Sequence, residues 1–181
     1  MPHQVAPLRN GRRCLLALAL AVGCAGLPGA GSGSLAWLRG SWIGVRRDGE
    51  DGSEARMTLV VEELPGGAGL VERLQVLGSG EPYTGFATFS RVGSRVGAPS
   101  GSGRWVMLYA NSVRDSFARL EGEVAGDGSA TLDSVTPGRT RESRLVLERL
   151  DARRCRRTQH VSEDGGATWR VWFVDELTRA D

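Results

Sequence analysis

The chain has 181 residues, 24% of them charged and 6% aromatic, a length that gives one domain able to bury a sizeable core. All 23 basic residues are arginine, which excludes a lysine Schiff base, a P-loop lysine and a Ser-Lys dyad. The formal net charge of +2 falls to near zero once Arg9, Arg12 and Arg13 are set aside, so the remainder has no electrostatic footprint for nucleic acid.

Residues 1–30 read as a signal peptide and tether. Arg9, Arg12 and Arg13 precede the apolar run Cys14 to Val22, which is too short to span a bilayer as a mature helix. Ala21-Val22-Gly23-Cys24 resembles a bacterial lipobox, with Cys24 the acylated residue and Ala21 where Leu is usual. Ordinary cleavage between about Gly23 and Ala30 is the alternative. Either way the expectation is export, to the periplasm, the envelope or the medium. Once the leader and Cys24 are committed, only Cys155 remains, and it has no internal disulfide partner.

Gly26 to Ser34 is a Gly/Ala/Ser tether. Leu35 to Arg39 fits one helical turn. From Trp42 onward the pattern is β: Trp42–Arg47, Ala55–Glu63, Gly69–Leu77, Tyr83–Ser90, Arg104–Ala110, Ser116–Glu121, Ala130–Val135, Arg141–Arg149, Arg154–Val161 and Thr168–Thr178. Asp48-Gly49, Pro65-Gly66-Gly67, Gly126-Asp127-Gly128 and Pro137-Gly138 punctuate these runs, and Gly93 to Gly103 forms a Gly/Ser/Pro loop. Met57, Leu59 and Val61 alternate with polar neighbours, as do Leu70, Leu74 and Val76, and Leu145 and Leu147. Trp169, Val171 and Phe173 share a parity, and Trp105 to Tyr109 reads as a fully buried strand. About ten short antiparallel strands with no 3.6-residue period predict an all-β meander closed into one barrel over residues 35–179, since closure removes sheet edges.

The sharpest local signal is Ser162-Glu163-Asp164-Gly165-Gly166-Ala167-Thr168-Trp169, an Asp-box. Ser162 and Asp164 are placed to bond turn amides, Gly166 supplies positive φ, and Trp169 is expected to anchor the turn on the core. A single copy in so short a chain excludes the bladed propellers where this motif recurs.

Two ends of the chain together carry a family resemblance. Gly40-Ser41-Trp42 resembles the G-x-W that opens a lipocalin barrel, and Arg179 follows the last strand. The chain resembles the calycin superfamily, and within it bacterial lipocalin-like proteins of unknown function classed as DUF1579-like. The stretch Leu38 to Trp42, the Ser162 to Trp169 hairpin and terminal Arg179 carry that likeness, with Leu177 standing where an aromatic is common. The resemblance implies a barrel whose ends meet where Arg179 packs on Trp42, and no established activity.

Candidate chemistry is sparse. His160 is the one histidine outside the leader, and no G-x-S-x-G elbow accompanies it. Cys155 and His160 supply two zinc ligands at most, so no metal site is expected. Nitrobindin-like barrels of the same superfamily bind haem through a strand histidine, which makes haem on His160 one alternative against a surface histidine. Strand parity puts Arg157 with Cys155 and Val161, and Arg141 with Leu145 and Leu147. Buried guanidinium groups need a counter-charge. Two readings stand: Arg141, Arg157 and Tyr109 hold the carboxylate of an acidic apolar ligand, or the arginines are paired with Glu72 or Asp133. The functional expectation is an exported, non-catalytic barrel for a small apolar or amphiphilic ligand, with no resident cofactor. A filled barrel acting as an envelope interaction lipoprotein, tethered through Cys24, is the alternative.

Overall fold

The computed structural model describes residues 34–78, 82–92, 104–112, 117–135 and 140–181. The leader, Cys24 and the loop from Gly93 to Gly103 lie outside the described residues. Ten strands follow one 3-10 turn, Leu35–Leu38: β1 Gly40–Asp48, β2 Glu54–Glu63, β3 Gly69–Leu77, β4 Tyr83–Val92, β5 Arg104–Asn111, β6 Phe117–Val124, β7 Ala130–Ser134, β8 Glu142–Arg149, β9 Arg154–Ser162 and β10 Arg170–Arg179. A second short 3-10 turn, Pro65–Gly67, joins β2 to β3. Each strand pairs antiparallel with the next, and β10 returns to pair with β1, closing a lipocalin-like barrel. Among the described residues no helix is long and apolar enough to cross a membrane.

Period-two patterning explains the closure. Met57, Leu59 and Val61 on β2 meet Val76, Leu74 and Glu72 on β3 across the register, and all point inward. Leu132 faces Leu145, and Leu147 faces Arg157, on the far wall. Gly44 lets β1 and β10 pack closely, because a Cβ there would lie 2.0 Å from the Glu176 carbonyl oxygen.

One end is sealed. Leu35 and Leu38 are fully buried beneath the barrel, and Trp42 Nε1 donates to the Leu38 carbonyl at 2.7 Å. Arg179 sits opposite Trp42 in the register, its guanidinium carbon 4.6 Å from the indole centroid. Its two Nη atoms donate to the carbonyls of Arg39 and Trp37, each at 2.9 Å. Trp37 Nε1 in turn donates to the Gly128 carbonyl in the β6–β7 turn, which ties that turn to the plug.

Two parities depart from the sequence reading. A bulge between Val171 and Phe173 shifts the β10 register, so Val171 pairs with His160 while Phe173 pairs with Gln159. Val171 and Phe173 therefore do not share a face. On β5 the burial stops early: Trp105, Val106 and Met107 are buried, but Leu108 is exposed and Tyr109 only partly covered. Val106 and Leu108 share the outer face, where Val106 is covered and Leu108, between Thr88 and Arg119, is not.

Candidate ligand-binding site

The end opposite the plug is built from the tops of the strands. Here Arg46 on β1, Tyr83 on β4, Tyr109 on β5 and Phe173 on β10 stand inward and half-covered. Gly85 makes room for Tyr109: a Cβ at position 85 would lie 3.0 Å from the Tyr109 hydroxyl. Arg46 lies face-on to Phe173 at 3.8 Å and to Tyr83 at 5.5 Å.

Behind these rings, among the described residues, the interior holds four charges. Arg46 makes a two-pronged bond to Asp175, Nε to Oδ1 at 2.7 Å and Nη2 to Oδ2 at 2.9 Å. Asp175 is fully buried, whereas the Arg46 side chain keeps 14% of its surface exposed. Arg157 Nη1 approaches Glu72 Oε1 at 3.0 Å, the two side chains 4% and 1% exposed. β9 and β3 are four strands apart around the wall, so this pair crosses the lumen as a bar. On β3, Leu70 lies on the plug side of Glu72, while the buried Leu74 and Val76 lie between it and the aromatic mouth. The contact is too bent to serve as a hydrogen bond, and Arg157 Nε, Arg157 Nη1 and Glu72 Oε1 are left buried without hydrogen-bond partners.

The charges tune one another. Burial works to lower the Arg46 pKa, but the bond and charge of Asp175 win and the net shift is upward. Arg157 behaves the same way, burial being outweighed by Glu72 and then Asp175. Burial raises the Tyr83 phenol, and the nearby Arg46 charge only partly offsets it. Both guanidinium groups are thus held charged and each faces a carboxylate.

Arg141 does not join them. It lies at the rim just before β8, 45% exposed, 3.6 Å from Glu163 and over the Trp172 ring at 5.5 Å. The parity it shares with Leu145 stops mattering at the barrel's edge, where an inward-pointing position opens to solvent. Tyr109 stands on β5, four steps from the β9 of Arg157. The structure therefore takes Arg141 to the rim, apart from the interior Arg157, and puts Tyr109 on the wall across the lumen from β9. Of the two carboxylates considered as partners, Glu72 faces Arg157, while Asp133 holds Arg144 on the outer wall at 2.6 Å. Arg46 and Asp175 are interior charges that the sequence reading passed over.

His160 projects from the outer face of β9, opposite Arg144 in the register. Burial and the Arg144 charge lower its pKa. A haem held by His160 would sit on the outer wall, not in the lumen. Among the described residues no group of three or more His, Cys, Asp or Glu is placed to hold a metal ion.

The Asp-box closes the β9–β10 hairpin beside the mouth. Ser162 Oγ donates to Asp164 Oδ1 at 2.7 Å and accepts from the Gly166 amide at 2.7 Å. Asp164 accepts from the Thr168 amide and hydroxyl, and Gly166 has φ 90°. Trp169 does not reach the core; it lies on the outer face with Arg144 over its ring at 4.3 Å. The hairpin turns its residue 169 outward, and an arginine covers it in place of the apolar interior. Elsewhere on the outer wall, a groove of about 600 Å³ runs over Thr58, Val60, Arg73, Gln75, Thr84 and Phe86.

No family model matches the chain, so the DUF1579-like resemblance has no such match behind it. No curated protein matches it either. Among solved structures the chain is similar to the S-type phycobiliprotein lyase CPES from Guillardia theta, with TM-score 0.54 and 10% identity, covering 81% of this chain and 90% of that one. At that identity the likeness is one of fold alone.

Proposed function

We propose that this protein is a non-catalytic lipocalin-like barrel that takes a small amphiphilic molecule at its open end. The observation that carries this reading is the contrast between the two ends. One is plugged by Leu35, Leu38 and the Trp42–Arg179 stack, while the other presents Tyr83, Tyr109 and Phe173 around a partly exposed Arg46. Aromatic walls with few polar groups are how small-molecule sites combine affinity with orientation. The bar from Arg157 to Glu72 limits the ligand to the upper part of the lumen. The fold shared with a phycobiliprotein lyase supports a barrel suited to a small molecule and does not carry that protein's chemistry to this chain. The N-terminal sequence supports export, with Cys24 as the envelope anchor.

A second reading, an envelope interaction protein, draws on the outer wall. Phe86 and Phe117 are 47% and 65% exposed and lie in one cross-strand row with Ala110 between them. Fluorescence titration of the mature protein with the neutral apolar probe N-phenyl-1-naphthylamine separates the two. Saturable binding abolished by Gly85→Leu, which crowds the mouth, supports the ligand reading. Absence of binding, or binding lost only on Phe86→Asp, rejects it.

A further inference from the structure

The charge balance of the lumen says what kind of head group it accepts. Arg46 and Asp175 are matched bond for bond, and Arg157 faces Glu72 at 3.0 Å. Among the described residues, two positive and two negative side chains therefore share one water-poor layer, and they cancel. In the sheet register Asp175 lies between Arg46 on β1 and Arg157 on β9, so the layer is continuous from the exposed edge of Arg46 inward. An incoming carboxylate would leave this layer with an unmatched negative charge, or would have to evict Glu72 or Asp175 from its arginine. Either is costly out of water.

The same layer has unmet hydrogen-bonding capacity of both signs. Arg157 Nε and Nη1 are donors without an acceptor, and Glu72 Oε1 is an acceptor without a donor. Native proteins rarely leave such groups buried and unpaired without a reason. One small group that both accepts and donates would satisfy them together and would not alter the charge balance.

Resting on the ligand reading above, we propose that the head group recognised in the lumen is uncharged and carries both a hydrogen-bond donor and an acceptor, as a primary amide or an alcohol does, and that a free carboxylate is rejected. The alkyl or aromatic remainder of the ligand lies against Tyr83, Tyr109 and Phe173. The head group passes Arg46 to meet the Arg157–Glu72 pair. Glu72 is the specificity-determining residue, because its charge is what makes Arg157 unavailable to an anion.

The test uses the mature protein loaded with N-phenyl-1-naphthylamine and displaced at pH 8 by octanamide, octanol or octanoate, a set that varies only the head. The expected result is displacement by octanamide at least about tenfold tighter than by octanoate. Equal or tighter octanoate overturns the head-group assignment while leaving the ligand-binding reading in place. A protein that binds neither the probe nor any of the set defeats the ligand-binding reading, and the head-group assignment with it. Glu72→Gln should invert the order, since it frees a buried guanidinium to seek an anion. The paired variant Glu72→Leu with Arg157→Met, which removes both charges and all three orphan atoms, should bring the three displacers to within about twofold. Unchanged discrimination in the paired variant would place head-group recognition elsewhere and overturn the assignment, whether or not the single variant folds.

Discussion

The bar across the lumen makes a demanding thermodynamic prediction. Arg157→Met alone leaves the Glu72 carboxylate 1% exposed with its counter-ion gone, and Glu72→Leu alone strands a guanidinium that is 4% exposed. Breaking a buried pair from one side costs about 3–5 kcal/mol, because the surviving charge has no water to return to. A domain of this size has about 5–15 kcal/mol in total, so either single variant should lose a large share of it. With a urea slope of about 2 kcal/mol per molar, the midpoint should fall by about 1.5–2.5 M. Making both changes together removes the desolvation of two charges and deletes Nε, Nη1 and Oε1, the three atoms that already lack hydrogen-bond partners. The double variant is therefore expected to match the parent or exceed it by about 1–4 kcal/mol. Urea unfolding followed by tryptophan fluorescence, run on all four members of the cycle, reads this directly. Single variants that each cost under about 1 kcal/mol, or a double variant as unstable as the two losses added, would refute the claim that these groups are a desolvated pair spanning the interior.

Other parts of the molecule are open to similar tests. Arg179→Ala removes the stack on Trp42 and two bonds to plug carbonyls, and should cost about 2–3 kcal/mol, read as a melting temperature lower by about 5–10 °C; a change under about 1 °C would mean the plug holds without it. Asp164 is pulled from 3.8 down to about 2 by bonds from Thr168 and then Ser162. Because its folded pKa lies below the unfolded one, the stabilisation it gives the hairpin is complete above the unfolded value and fades as pH falls through about 2. The Thr168 amide resonance should titrate with that low midpoint, and a midpoint at the ordinary carboxylate value would contradict the Asp-box geometry. The Cys155 thiol is pushed up to about 12, chiefly by burial, so maleimide should label it in the native protein only at the rate of global unfolding, as followed by peptide mass. Labelling within minutes at pH 8 would show that the lower lumen is open.

The architecture was legible because the chain alternates with period two almost throughout, and a meander of ten such runs has few other ways to hide its edges. The sealed end was legible for a narrower reason: the lipocalin-like resemblance of Gly40-Ser41-Trp42 and Arg179 implies their stacking, and Trp42 near the start of β1 does lie opposite Arg179 at the end of β10. The interior charges were only half visible. Glu72 interrupts the apolar parity of Leu70 and Leu74, and Asp175 that of Phe173 and Leu177, so a charged residue on a core-facing position was the available signal. Arg46 was harder to see, since Ile43 and Val45 make the opposite face of β1 the more apolar one in sequence, although Ile43 is exposed and Trp42 is buried. Arg141 misled because strand parity says nothing about where a strand ends: one position beyond β8, an inward direction becomes the rim. Trp172 and Val171 misled because a bulge is set by tertiary pairing and has no local marker in this sequence.

The measurement that bears most directly on the whole account is an amide chemical-shift titration of the mature protein with N-phenyl-1-naphthylamine. Binding at the open end predicts saturable shifts at Tyr83, Gly85, Tyr109 and Phe173, with Gly40, Trp42 and Arg179 unmoved. Shifts centred on Gly40 and Trp42, or on the outer-wall row of Phe86, Ala110 and Phe117, would contradict it.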